Sequence, residues 1–156
     1  MSCRYEFVVA VVATLFLVAP AKAQSAGGPD GVWLTQQGDA KVRVSKCGAG
    51  ICGVVVWLRE PIDPATGKPQ IDDKNANPIL AKRPIIGLNI FSGMKSVTGN
   101  KWSGTIYNAD DGKSYSSSVA VAGPQKLEVR GCVMGILCGG ETWTKIGDVT
   151  VADADN

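Results

Sequence analysis

Four cysteines in two close pairs are the most reactive constellation in this sequence: Cys47 and Cys52, spaced C-x4-C, and Cys132 and Cys138, spaced C-x5-C. Thiols in such pairs can form disulfides, hold a zinc ion as a set of four, or cycle as a redox couple. Neither spacing is C-x-x-C, and no basic or helix-N-terminal setting lowers a thiol pKa, which disfavours the redox and zinc readings. Three disulfide connectivities remain open. The local pairing, Cys47 with Cys52 and Cys132 with Cys138, is favoured because each pair brackets a glycine-containing segment, Gly48-Ala-Gly-Ile51 or Val133-Met-Gly-Ile-Leu137, that reads as a hairpin tip. Each bridge would close a short loop and stabilise by about 2 kcal/mol in the chain-entropy picture.

The remaining catalytic inventory is thin. The 156 residues include no histidine, which excludes Ser-His-Asp and Cys-His nucleophile systems and any His-ligated metal, and removes the commonest general base. Gly48-Ala-Gly-Ile-Cys-Gly53 matches G-x-G-x-x-G, but the β-branched run Val54-Val-Val-Trp-Leu58 follows it where a dinucleotide fold needs a helix. Ser92-Gly-Met-Lys95 matches the S-x-x-K of exported acyl-transfer enzymes, yet S-D-N and K-T-G are absent. Asp72-Asp-Lys-Asn-Ala-Asn77 lacks the spacing and closing glutamate of a calcium loop. Asp63, Asp72, Asp73, Asp110 and Asp111 all fall in turns, where water solvates a carboxylate. No catalytic residue, metal or cofactor is expected. With 16 basic against 14 acidic residues, the chain also lacks the cationic excess that nucleic acid or an anionic membrane surface would require.

The cysteines need an oxidising compartment, and the N-terminus predicts one. Arg4 precedes the apolar stretch Phe7–Ala19, which is shorter than the ~20 residues that span a bilayer and is followed by Pro20 and the small-residue site Ala21-Lys22-Ala23. This pattern reads as a signal peptide over residues 1–23. Export to the periplasm is the consequence, with no integral membrane association after cleavage. Cys3 is lost with the peptide, leaving an even number of cysteines. The mature chain, residues 24–156, is short enough for a single domain, with its core at about residues 31–146.

A period of two runs through that core. Lys41–Ser45, Lys101–Ile106 and Lys126–Arg130 alternate polar with apolar, and Val32–Gln36, Val54–Leu58, Leu88–Ser92, Tyr115–Ala122 and Glu141–Ile146 are further strand candidates. Turn residues separate them, as at Gly48-Ala-Gly50, Thr98-Gly-Asn100, Asp110-Asp-Gly112 and Gly123-Pro124. The fold class read from this pattern is all-β: a single antiparallel up-and-down barrel of about eight strands, since closure removes exposed edges. One long loop interrupts it, Arg59–Arg83, rich in proline and holding at most one helical turn capped by Asn77 and stopped by Pro84.

Within a barrel the aromatic and charged residues gain roles. The first and last strands become neighbours, so Trp33 could plug one end beneath Lys145, with Trp143 nearby on the last strand; a core tryptophan and an unrelated surface lysine is the competing reading. Trp57, Trp102 and Tyr115 lie on or beside central strands and are candidates to line a cavity. Arg83 ends the long loop just before Pro84. Its planar guanidinium suits a ligand carboxylate or phosphate, or else a loop carboxylate such as Asp63 or Asp72.

An ordered series of motifs carries a resemblance: Gly31-Val-Trp-Leu34, Cys52-Gly-Val-Val-Val-Trp-Leu58, Asp63-Pro-Ala-Thr-Gly-Lys68, Arg83-Pro-Ile-Ile-Gly-Leu88, Lys101-Trp-Ser-Gly104, Ile106-Tyr-Asn-Ala-Asp-Asp-Gly-Lys113 and Thr142-Trp-Thr-Lys145. Together they resemble the bacterial exported family of unknown function DUF2147. Gly31-x-Trp33 is also similar to the opening signature of lipocalins, although Lys145 stands where lipocalins usually carry arginine. The resemblance implies a lipocalin-like barrel of the periplasm and supplies no catalytic residues. The function expected is therefore a periplasmic binding protein for a small apolar or amphipathic molecule. The alternative is a filled barrel that works in the envelope through its loops. An eight-stranded interior permits either.

Overall fold

A computed structural model describes residues 27–134 and 136–148 of the chain; the expected signal peptide and most of both tails lie outside the described residues. Eight strands form in order: β1 (Gly31–Leu34), β2 (Ala40–Cys47), β3 (Gly50–Leu58), β4 (Asn89–Thr98), β5 (Lys101–Asn108), β6 (Lys113–Gly123), β7 (Lys126–Val133) and β8 (Leu137–Gly147). Each pairs antiparallel with its sequence neighbour, and β1 pairs with β8 to close the barrel.

The period-two pattern locates the strands but understates several of them. β3 begins four residues before Val54, directly after the turn at Gly48. β4 continues to Thr98 rather than ending at Ser92, so Ser92-Gly-Met-Lys95 lies mid-strand. The cause is a bulge. Gly93 has φ 63°, a left-handed conformation that glycine adopts without strain, and the register shifts there. Phe91 and Met94, three residues apart, both end up inside the barrel at 2 % and 0 % exposure, and the alternation breaks. In the long loop the helical turn is a 3-10 segment over Leu80–Lys82, later than Pro78. Asn77 still supports it, accepting from the Ile79 and Ala81 amides through its side chain and carbonyl.

The core fills one end of the barrel. Trp33, Val44, Ile51, Met94, Val119 and Leu127 are almost wholly buried there, with Trp102 packed against them. Trp33 faces Lys145 across the closing seam between β1 and β8, and its indole N–H donates to the Pro29 carbonyl at 2.8 Å. The Lys145 ammonium lies 5.9 Å from the Trp33 ring centroid, within cation–π range, and pairs with Asp148 at 2.6 Å. Gly31 permits this cover, because a methyl group there would stand 2.5 Å from the Lys145 Cε. Trp33 and Lys145 thus form a plug, and the reading of two unrelated residues is set aside.

Both disulfides are local, Cys47–Cys52 and Cys132–Cys138. Cys52 alternates with the inward Ile51 and Gly53, and Cys132 comes directly after the inward Gly131, so both bridges lie on the outer wall. One staples the β2–β3 hairpin at the plugged end and the other the β7–β8 hairpin at the opposite end.

A plug of this size should dominate stability. Trp33→Ala is expected to cost about 3 to 5 kcal/mol and Trp33→Phe clearly less, read from denaturant midpoints; an unchanged midpoint for the alanine variant would contradict the packing described.

Candidate functional site

Side-chain volume falls steeply along the barrel interior. Strand register places Ala40, Ser117, Gly131 and Gly139 on the inward face above the large residues of the plugged end. Large side chains below and these small ones above leave a cavity of about 770 Å³ open at the far mouth, inside the range of roughly 300 to 1,000 Å³ usual for ligand pockets. Its apolar wall comes from Val42, Val55, Ile90, Ile106, Val129 and Trp143. Polar residues of the β1–β2, β3–β4 and β5–β6 connections ring the opening, among them Gln36, Asp39, Arg59, Glu60 and Asp110.

Of the residues singled out for binding, Tyr115 lines this cavity and three do not. Tyr115 pairs with Ile106 across β5–β6, and its hydroxyl donates to Asp111 at the rim. That hydrogen bond holds the Tyr115 phenol above its ordinary pKa and the Asp111 carboxyl below its own. Trp102 points inward, but beside Val119 at the plugged end, where it is packing. Trp57 lies on the outer wall. Alternation from Ile51 through Gly53 and Val55 would turn it inward, but the register slips at Val56, setting Val55 opposite Val42 and Trp57 opposite Lys41. The Lys41 ammonium sits 4.4 Å from the centroid of its ring.

Arg83 is occupied elsewhere. Its Nε and Nη2 donate to one oxygen of Asp72 at 2.9 and 2.8 Å, while the Tyr107 hydroxyl donates to the other at 2.6 Å. Asn75 Nδ2 donates to both Asp72 and the Tyr107 hydroxyl, each at 2.9 Å. The Arg83 guanidinium also lies over the Tyr107 ring, 5.3 Å from its centroid. Asp72, expected to be solvated in a turn, is 0 % exposed, and both its carboxylate oxygens accept from donors of the loop and β5. This group clamps the long loop to the barrel wall. Two isolated bridges, Ile62 with Pro69 and Ile71 with Pro84, brace the loop itself.

The residue that sequence reasoning passes over is Glu141. Its register partner is the inward Val129, it lines the cavity, and its carboxylate accepts from the Trp143 indole N–H. The signal is available, since Glu141 and Trp143 stand two apart on one strand and must share a face.

The clamp carries a pH signature. Loss of solvent and the bond to Asp72 raise the Tyr107 phenol above its ordinary 10.0. The neutral phenol donates the bond, so its contribution is complete below pH ~10 and fades as pH rises through the raised value. Tyr107→Phe should cost about 1 to 3 kcal/mol at pH ~8, because it leaves one oxygen of the buried Asp72 without its donor, and the gap between variant and parent should narrow in strong alkali. Denaturant midpoints across that range check it; a constant gap would contradict the bond.

Comparison with known proteins places this geometry. No curated protein matches the chain. Among solved structures it is similar to protein HP1028 from Helicobacter pylori, described as belonging to the lipocalin family. The identity is 23 %, the match covers 75 % of this chain and 82 % of that one, and the TM-score is 0.63; at that identity the likeness is one of fold. The DUF2147 family, described as an uncharacterized protein conserved in bacteria, matches residues 31–145 and so reaches all eight strands, and the chain belongs to that family.

Proposed function

We propose that this barrel is an exported carrier that binds a small amphipathic molecule in its open mouth, in the bacterial periplasm. The observation that carries the reading is the cavity of about 770 Å³, apolar in its depth and polar at its rim, beneath a loop clamped in place. A barrel built only as a scaffold gains from being filled, because each void forfeits packing energy. Keeping glycine at the inward, cavity-lining position 131 gives up that energy where a ligand would recover it. Two disulfides in so short a chain fit the oxidising side of a membrane, as does the apolar N-terminal stretch with its small-residue cleavage site.

A second reading, an envelope module acting through its loops, draws on one feature. The β7–β8 hairpin tip exposes Val133, Met134, Ile136 and Leu137 to water at 47 to 91 %. Such a tip suits contact with another surface. It does not account for the cavity.

Native mass spectrometry of the mature protein, purified from the periplasm without denaturation, separates the two. A carrier arrives with a stoichiometric small-molecule adduct that is lost on unfolding. Protein that arrives bare and gains no adduct when incubated with a lipid-soluble extract of the same cells contradicts the proposal.

A further inference from the structure

The cavity's charge identifies the ligand's polar end. Four carboxylates line it, Asp39, Glu60, Asp110 and Glu141, against one guanidinium, Arg59. Arg59 is already committed, its Nε and Nη2 donating to the backbone carbonyls of Gly38 and Gln37. The ion pairs among the described residues, Lys74–Asp73, Arg83–Asp72 and Lys145–Asp148, involve none of the four cavity carboxylates. An anionic ligand would meet an excess of like charge, four carboxylates against one guanidinium, in a site partly shielded from water, where repulsion is strongest.

Glu141 differs from the other three in position. Asp39, Glu60 and Asp110 belong to the loops of the rim, whereas Glu141 stands on a strand, facing inward beside Val129 and directly above Trp143. Trp143 is 2 % exposed and its N–H donates to one oxygen of Glu141, which fixes the carboxylate at the boundary between apolar wall and polar rim. Tyr115, Ile106 and Ile90 line the same cavity. A carboxylate held at that level, with hydrocarbon below it and further negative charge above, is complementary to a molecule with an apolar body and a protonated amine or guanidinium at one end.

We infer that the mouth of this barrel selects cationic amphiphiles, with the ligand's ammonium or guanidinium paired to Glu141 and its apolar part packed on Trp143, Ile106 and Val55. The inference rests on the carrier reading and narrows it to a ligand class. It differs from the alternative that the sequence left open, in which Arg83 holds a ligand's carboxylate or phosphate.

Three probes with one tail test it: octylammonium, octanol and octanoate, titrated calorimetrically at neutral pH and low salt. The cation should bind about tenfold or more tighter than the neutral alcohol, the worth of one charge-assisted contact, and the anion weakest. Glu141→Gln should remove most of the ammonium's advantage and leave octanol unchanged, and Asp110→Asn should remove a smaller part. Octanoate binding as well as octylammonium, or an ammonium advantage that survives Glu141→Gln in a variant that melts like the parent, would overturn the charge assignment while sparing the carrier reading. Failure of all three probes to bind would overturn both.

Discussion

The seam between β1 and β8, where Trp33 faces Lys145, is the contact on which the rest of the molecule depends. β1 is only four residues long, yet it must pair on both sides to convert an eight-stranded sheet into a barrel without edges. Trp33 makes so short a strand sufficient by burying its ring in the closed end and anchoring its N–H on Pro29. With that end filled, apolar volume is concentrated there. The space left over lies at the other end, so plug and cavity both arise from a single uneven distribution of side chains.

The mouth is then shaped by polar chemistry. A long, proline-rich connection would ordinarily be free to move, since it buries little apolar surface of its own. Asp72 changes this by collecting donors from Arg83, Asn75 and Tyr107, the first two within the loop and the third on β5. A carboxylate taken wholly out of water is costly unless fully paired, so the arrangement is all-or-none and fixes one loop position. The Cys132–Cys138 bridge has a similar effect on the β7–β8 hairpin at the same end.

Much of this is legible in the sequence, for reasons that differ by residue. Alternation marks the strands, glycine-bracketing cysteines mark the local bridges, and Gly31-x-Trp33 with Lys145 marks the closing seam. What alternation cannot mark is a bulge. The slips at Val56 and Gly93 each shift the parity of the residues beyond them, which is why Trp57 faces outward and β4 extends past its apparent end. The clamp is half legible: the position of Arg83 before Pro84 aims it at either a ligand or a loop carboxylate such as Asp72, and only tertiary packing reveals which. Glu141 escapes notice because a lone glutamate at a strand start looks like a solvated surface group until its face is fixed by Trp143.

If the barrel is a carrier, its open upper half exists to be occupied. Gly131 gives direct access to it: Gly131 lines the cavity, and a methyl group there would meet Tyr115 and Ser117 at 3.5 and 3.6 Å, ordinary contact distances, so a side chain can start from this position without clash. The measurement is fluorescence titration of the neutral apolar probe N-phenyl-1-naphthylamine with the parent protein and with Gly131→Leu. A carrier should bind the probe saturably in the parent and lose it, or weaken by at least about tenfold, in a Gly131→Leu protein that melts no lower than the parent. Equal binding by both proteins would contradict the carrier reading.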